Sequence, residues 1–314
     1  MDLKQLEAFV RVAELGSFTR AAAALEASQS ALSRMVRQLE LELRTHLLYR
    51  HGRGATPTES GKRLLAHGRG ILHQVGLARQ ELEEQDEAPT GKVVIGLPPS
   101  VGKHLTVPLM TQFRARYPKA SIGLVEGLTL SMQEWLLLGR LDVALLFNPA
   151  PLAQLEYERV WSEDLYLISP RARGQTPRAT VRLAALGDYP LVIPSRPHSI
   201  RTLVEAECGR RRIALDIAFE VDAIASVLDL VERGLGHAIL SRTAMRGWAK
   251  HGRLVARRIV EPALVTDLVI ATSTQRPLTR LARRAIELIK AEIAGGLFKA
   301  PAASAPRTRT RRAR

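Results

Sequence analysis

Cysteine is nearly missing from this 314-residue chain: Cys208 is the single one, so no internal disulfide can form. That usage matches a reducing cytoplasm. Apolar runs of bilayer length are missing as well, since none approaches the roughly 20 residues a membrane span needs. The opening MDLKQLEAFVRV reads as an amphipathic helix, without the basic end, apolar centre and small-residue cleavage site of a signal peptide. Aromatic residues make up only 4% of the chain, and Trp135, Trp161 and Trp248 are expected in cores rather than in a stacking platform. The 8 histidines are scattered, with no His/Cys cluster at metal-ligand spacing. No G-x-S-x-G elbow, P-loop or G-x-G-x-x-G occurs. These gaps argue against metalloenzymes, nucleophilic hydrolases and nucleotide-dependent enzymes; no metal, cofactor or membrane partner is expected. Cys208, in EAECGRRR, reads as a structural helical thiol, with redox sensing beside Arg210 to Arg212 as the lesser alternative.

Acidic residues are also short: Lys and Arg total 46 against 31 Asp and Glu, a net charge of +15. Such an excess suits a polyanionic partner, although charge alone does not fix a fold. Hydrophobic residues at 46% are enough for buried cores, and the length allows two or three domains. One local concentration stands out. Between Gln29 and Arg63, the basic residues Arg34, Arg37, Arg44, Arg50, Arg53, Lys62 and Arg63 face only Glu40, Glu42 and Glu59.

That concentration surrounds the stretch SFTRAAAALEASQSALSRMVRQLE, residues 17 to 40. Ser17 can cap a helix, and Ala21 to Ala24 leave so little bulk that another helix can approach closely. A short turn, EAS, comes next, and Ser28 is a second candidate cap. From Gln29 onward two stripes separate at helical spacing. Leu32, Val36, Leu39 and Leu43, with Met35 beside them, form the face expected to be buried. Ser30, Ser33, Arg34 and Arg37 lie opposite, with Gln29 at the leading end. Two helices joined by a tight turn, the second offering Gln, Ser and Arg outward, predict a helix-turn-helix. Arginine can bond bidentately to guanine and glutamine to adenine, while serine hydroxyls reach phosphate or base. An ordinary helical hairpin with a solvated face is the competing reading.

The neighbouring residues favour the helix-turn-helix. LLYRHGRGATPTESGKRLL sets Arg50 and Arg53 among glycines as a short basic wing suited to a phosphate backbone, and Thr58 can cap the next helix. That helix, residues 58 to 88, carries Leu64, Leu65, Ile71, Leu72, Val75, Ala78 and Leu82 as an apolar stripe, interrupted by Gly61, Gly68, Gly70 and Gly76. Each interior glycine costs about 1 kcal/mol relative to alanine. Packing on the same helix of a second copy is expected to offset this, with packing on the chain's own effector domain as the alternative.

The run F-x-x-V-x-x-x-G-S-F-T-x-A-A-x-x-L-x-x-S-Q-S-A-L-S-R-x-V-x-x-L-E-x-x-L, followed by L-L-Y-R-x-x-R-G-A-T-P-T-x-x-G, resembles the LysR-type transcriptional regulators over nearly the whole chain. Within that family, GKVVIGLPPSVGKHLTVPL and EDLYLISP are similar to regulators of the nitrogen-assimilation-control type. The resemblance implies that Gln29, Ser30, Ser33, Arg34 and Arg37 lie on a DNA-recognition helix, and Arg50, Arg53, Thr56 and Thr58 on the wing and the start of the linker helix. Ser30 departs from the family, which often has proline there; a first-turn proline is mainly a helix-start device.

Downstream, short apolar strands (KVVIGL, SIGLV, DVALLF, LYLIS, PLVIP, HAILS, DLVIAT) alternate with helical segments at 100–117, 129–139, 199–211, 223–234 and 278–294. This is an α/β pattern with covered sheets. The resemblance implies a periplasmic-binding-protein-like effector domain at 89–299, with one subdomain at 91–161 plus 267–295 and the other at 162–266. Before it come a winged helix-turn-helix at 1–58 and a linker helix at 59–88. The tail 300–314, APAASAPRTRTRRAR, is expected to be disordered. Ligands in such sheets sit beyond strand carboxyl ends, near helix N-termini. Ser100 with Val101, Thr129, and Ser199 with His198 and Arg201 are therefore candidate effector contacts, and Phe147 and Asn148 could line the same cleft. Backbone amides, hydroxyls and an arginine suit a small anion. The plainer reading of Ser100, Thr129 and Ser199 is helix capping.

The expected protein is thus a sequence-specific regulator binding double-stranded DNA as a homodimer or homotetramer. A small-molecule effector would change the angle between subdomains, and RNA polymerase is a further expected partner. An architectural DNA binder indifferent to sequence, or a metabolite-processing enzyme, are the alternatives.

Overall fold

A computed structural model describes residues 1–51, 54–83, 89–171, 178–245 and 252–298. Three helices open the chain. Asp2 and Gln5 form a capping box that starts α1 (Leu3–Leu15), and Gly16 ends it in the left-handed region at φ 64°. Ser17 caps α2 (Phe18–Ala24), its hydroxyl accepting from Arg20 N at 3.3 Å. Ser28 caps α3 (Gln29–Glu42), accepting from Ala31 N at 3.2 Å. Both expected caps are therefore made. Of the four alanines only Ala21 and Ala22 are buried, since a helix shows one face to its neighbour and Ala23 and Ala24 point to solvent. Leu32, Val36 and Leu39 pack with Leu6, Phe9 and Val12 of α1 in one small core. Leu43, expected on that face, caps the end of α3 and is exposed. A two-stranded wing, β1 (Leu48–His51) with β2 (Gly54–Pro57), closes this unit. Gly54 lies against α1's turn, where a Cβ would meet Gly16 O at 2.3 Å.

The long helix α4 (Glu59–Glu83) comes next, with Leu64, Leu65 and Leu72 against the same core. Its glycines have local explanations. Gly61 approaches Leu47 O, Gly68 packs on Leu6 and Val10, and Gly70 lies against Leu138 O. Three of the four positions are thus occupied by the protein's own chain, which corrects the expectation that these gaps serve a second copy. Only Gly76 has open space around it.

The remainder is built on one mixed sheet. On one side, β3 (Gly91–Leu97) pairs in parallel with β4 (Ala120–Glu126) and β5 (Val143–Phe147). The central strand β6 (Leu155–Pro170) pairs antiparallel along its first part with β12 (Val265–Ser273) and along its last part with β10 (Ala238–Ser241) and β11 (Leu254–Val260). β7 (Thr180–Arg182) completes the β11 edge, while β8 (Leu191–Ile193) and β9 (Ile217–Glu220) form a small parallel pair. Helices α5 (Pro99–Arg116) and α9 (Arg280–Ala294) cover one face of the β3 side, and α6 (Thr129–Leu137) the other. Around the β11 side, α7 (Ser199–Arg210) and α8 (Ile224–Glu232) bury two further clusters. Cys208 is buried in α7, and burial, with Glu207 adding to it, pushes its thiol up to about 11. Trp135 and Trp161 pack on cores of the β3 side; Trp248 and the tail lie outside the described residues. No helix among the described residues is long and apolar enough to cross a membrane.

Candidate DNA-binding surface and effector cleft

Burial of Leu32, Val36 and Leu39 turns the other side of α3 outward. Gln29, Ser30, Arg34 and Arg37 are exposed along it, while Ser33 is half-buried. Ser30 Oγ lies 3.1 Å from the capping Ser28 Oγ. Ser33 is engaged from the wing, since Arg50 Nη1 donates to its hydroxyl at 3.0 Å. Arg50 also stands over the Phe18 ring, 4.8 Å from the centroid, with Nη2 3.6 Å from Glu40 Oε2. Thr56 is exposed on the wing, 3.2 Å from His51 Nε2. Thr58 must be corrected. It is 8% exposed, donates to His46 O at 2.7 Å and accepts from Gly61 N at 3.0 Å, so it caps α4 and faces no outside partner. Arg53 lies outside the described residues. A groove running from α3 to the wing carries Arg37 and Arg50 and adds Arg44 and His46, which were not among the expected site residues. Arg44 takes a left-handed turn, φ 51°, just past the helix end, a placement that helical periodicity does not reveal.

The second site is a cavity of about 570 Å³ between the two sides of the sheet. Pro98, Ser100, Lys103, Leu128, Thr129 and Phe147 line it from the β3 side; His198, Ser199, Asp222, Ile224, Leu240 and Ser241 line it from the other. Ser100, Thr129 and Ser199 are not the caps of their helices. The N-cap positions are Pro98, Leu128 and His198, and α5, α6 and α8 each begin without any side-chain cap. Three helices thus point amides that lack side-chain partners toward the cleft, an arrangement favourable to negative charge. Thr129 instead donates to Phe147 O at 3.1 Å, fastening α6 to the end of β5. His198 Nδ1 accepts from Ile200 N at 3.2 Å, which leaves the proton of the neutral ring on Nε2. Burial lowers its pKa, against a smaller opposing pull from Asp222, so the ring is neutral at pH 7. Glu163 on β6 accepts from Thr243 N at 3.1 Å and from Thr243 Oγ1 at 2.8 Å, holding the turn that brings Ser241 and Ala244 to the cleft.

Three expected contacts lie elsewhere. Val101 is fully buried in the α5 core, on the helix face opposite the opening. Asn148 donates to Thr266 Oγ1 at 2.9 Å and accepts from Asp267 N at 2.8 Å, joining β5 to β12 behind the lining. Arg201 is only 4% exposed, paired with Glu205 and with Glu220 at 3.2 Å, and donates to Pro194 O. Its charge is matched internally, so it is not the cleft's anion clasp. Lys103, one turn after Ser100 on the same helix face, is a cationic residue of the described lining.

A helix-turn-helix with an outward polar ridge, joined by one helix to a two-sided sheet with a cleft, agrees with two family matches. Residues 3–62 match the bacterial regulatory helix-turn-helix proteins of the lysR family, and residues 86–294 match the LysR substrate binding domain. The chain belongs to the LysR family. As a LysR-type regulator it is a DNA-binding transcription factor with an effector-binding domain. It is 31% identical to the nitrogen assimilation regulatory protein Nac of Klebsiella aerogenes over 290 residues, 92% of this chain and 94% of the relative. With Nac of Escherichia coli K12 the identity is 31% over 300 residues, 95% and 97% of the two chains. Among solved structures, a full-length OxyR point variant from Pseudomonas aeruginosa superposes with a TM-score of 0.70 at 23% identity, covering 93% of this chain and 94% of that one. Full-length CbnR complexed with its target DNA gives a TM-score of 0.68 at 23% identity, covering 93% and 99%. These two likenesses establish the fold.

In this LysR regulator the two sites are mechanically joined. His73 Nε2 on α4 lies 2.8 Å from Asp142 Oδ1, and Asp142 Oδ2 accepts from Val94 N at 2.7 Å on β3. One turn earlier on the same face of α4, Arg69 Nε donates to Glu14 of α1 at 2.8 Å. The linker helix is therefore fastened to the helix-turn-helix at one end and to the β3 side of the sheet further along.

Proposed function

We propose that this regulator reads a two-fold related DNA site through the exposed Gln29, Ser30, Arg34 and Arg37 ridge of α3, with the wing, including Arg53, against the phosphate backbone. A dimer places two recognition helices in successive major grooves, roughly 34–36 Å apart on one face of the duplex. Two such dimers in a tetramer hold a bend between their sites, and a change of bend alters access for RNA polymerase. The working units are the winged helix-turn-helix at 1–58, the linker helix at 59–88, and an effector domain whose halves, 91–161 with 267–295 and 162–266, close on the cleft. The protein acts as a switch in the cytoplasm rather than as a catalyst. The observation that carries the reading is the division of α3 into a buried leucine face and an exposed Gln/Arg face.

The effector is a small anion held by the amides at the starts of α5, α6 and α8, by Lys103 and by the hydroxyl of Ser100, with its remainder against Phe147, Ile224 and Leu240. Binding across the cleft favours one angle between the halves over another. The test of the DNA reading is competition between a duplex selected from a random-sequence library and unselected duplex. Arg34→Ala should lower discrimination by 1–3 kcal/mol, about 5- to 150-fold. Equal affinity of the native protein for both duplexes would instead make it an architectural binder. For the effector, calorimetric titration with matched carboxylates and carboxamides should favour the carboxylates, and Lys103→Ala should erase that preference. Carboxamides binding as well as carboxylates would overturn the anion assignment.

A further inference from the structure

Among the described residues of the DNA-binding unit, Arg50 meets three partners, all on its own chain. It stacks over Phe18 of α2, donates to Ser33 of α3, and faces Glu40 near the end of the same helix. Glu40 divides its work. Oε1 accepts from Leu47 N at 2.9 Å and Leu48 N at 3.2 Å, the two amides where the chain enters β1, while Oε2 faces Arg50. The Glu40 side chain is 10% exposed and that of Arg50 43% exposed. One carboxylate therefore holds the start of the wing to the recognition helix and matches the charge of the wing's first arginine. That arginine returns to the middle of the recognition helix at Ser33.

We infer that Glu40, Arg50 and Ser33 form a brace that sets the angle of the wing to the recognition helix. Arg50 serves sequence specificity through this brace and is not one of the cations that neutralise DNA phosphates. The inference rests on the DNA-reading surface proposed above. A guanidinium whose charge already faces a mostly buried carboxylate releases little additional counterion on binding, whereas the exposed Arg34 and Arg37 are free to do so. A wing held at one angle lets the bases be read only in one register. A loosened wing still meets phosphates but accepts more sequences. Glu40 and Ser33 are positioning residues in this arrangement and touch no base.

The experiment uses the full chain, a labelled duplex selected from a random-sequence library, and an unselected duplex of equal length, with affinities measured by fluorescence anisotropy across a salt series. Glu40→Gln keeps an oxygen for the Leu47 and Leu48 amides but removes the charge facing Arg50. It should reduce the ratio of selected to unselected affinity about tenfold. It should also steepen the salt dependence by about 0.9 in log–log slope for each Arg50 released toward a phosphate. Ser33→Ala should lower the same ratio in the native chain and add nothing in Glu40→Gln, because both break one brace. Arg50→Ala should lower the ratio while leaving the salt slope unchanged, a result that does not depend on Glu40→Gln folding well. The inference is overturned if Arg50→Ala flattens the slope by about one phosphate contact, or if Glu40→Gln changes neither ratio nor slope. A native protein that prefers no sequence, or an Arg34→Ala chain that discriminates fully, would count against the recognition surface itself and is read separately.

Discussion

Replacing Gly70 and Gly76 with alanine, one at a time, should have opposite effects, although both interrupt the same apolar stripe of α4. A Cβ on residue 70 would stand 1.8 Å from Leu138 O and 3.0 Å from its carbonyl carbon, backbone atoms that cannot swing away. Ordinary contact needs about 3.4 Å, so the helix has to retreat roughly 1.5 Å there, more than a close-packed interface absorbs. His73 sits three residues further along and would lose reach of Asp142, now at 2.8 Å, with Asp142 only 7% exposed. Overpacking and the lost contact together cost about 2–4 kcal/mol, offset by about 1 kcal/mol of better helix propensity. Gly70→Ala should therefore destabilise by about 1–3 kcal/mol. At Gly76 nothing lies within 4 Å of the added methyl. Gly76→Ala should keep the propensity gain and stabilise by about 1 kcal/mol. Urea unfolding followed by circular dichroism measures both changes. If Gly70→Ala stabilised the chain as much as Gly76→Ala, the docking of α4 on Leu138 would be wrong. If Gly76→Ala lost stability, a second copy would be occupying that face.

Arg201→Ala should cost roughly 2–3 kcal/mol, below the usual loss for breaking a buried ion pair because Glu220 is 52% exposed and can hydrate; anion binding in the cleft should survive, and a loss of binding at unchanged stability would restore Arg201 as a ligand residue. The Cys208 thiol, buried and raised to about 11, should react with maleimide at pH 8 only as fast as the chain unfolds; rapid labelling of the folded protein would contradict its placement. His198 and His237 both have lowered pKa values, from burial first and, for His237, also from Arg257. The unfolded chain then takes up protons at these sites before the folded one does. Their contribution to stability is whole above the ordinary histidine pKa of about 6.5 and declines as pH falls toward the folded values. Melting temperatures between pH 7.5 and 5 should fall less in His198→Gln than in the native chain, and parallel curves would refute this.

The parts legible in the sequence were those decided within a few residues. Ser17, Ser28 and the hydroxyl of Thr58 each meet an amide three positions ahead, so their capping follows from local spacing. The leucine stripe of α3 was likewise visible, because helical period alone separates Leu32, Val36 and Leu39 from Arg34 and Arg37. Residues settled by distant partners were not. Arg201 looked like a ligand arginine until Glu220, nineteen positions away, supplied its counter-charge. Arg50 looked like a free wing cation until Ser33 and Glu40 claimed it. The linker glycines pointed to close packing, but which surface filled each gap depended on Leu47, Leu6, Val10 and Leu138 coming together in the fold. Lys103 was hidden for a related reason, since a lysine in the second turn of a helix becomes a lining residue only when the other half of the sheet closes opposite it.

The strand β6 is continuous from Leu155 to Pro170, bonded to β12 over its early part and to β10 and β11 over its late part. Both walls of the cavity are therefore stitched to one ribbon rather than hung on a slack tether. A ribbon of this kind yields to torsion far more readily than to stretching or sideways shear, because its hydrogen bonds survive a change of twist but not a change of spacing. Whatever occupies the cleft can consequently transmit a rotation to the far half of the molecule, but not a separation.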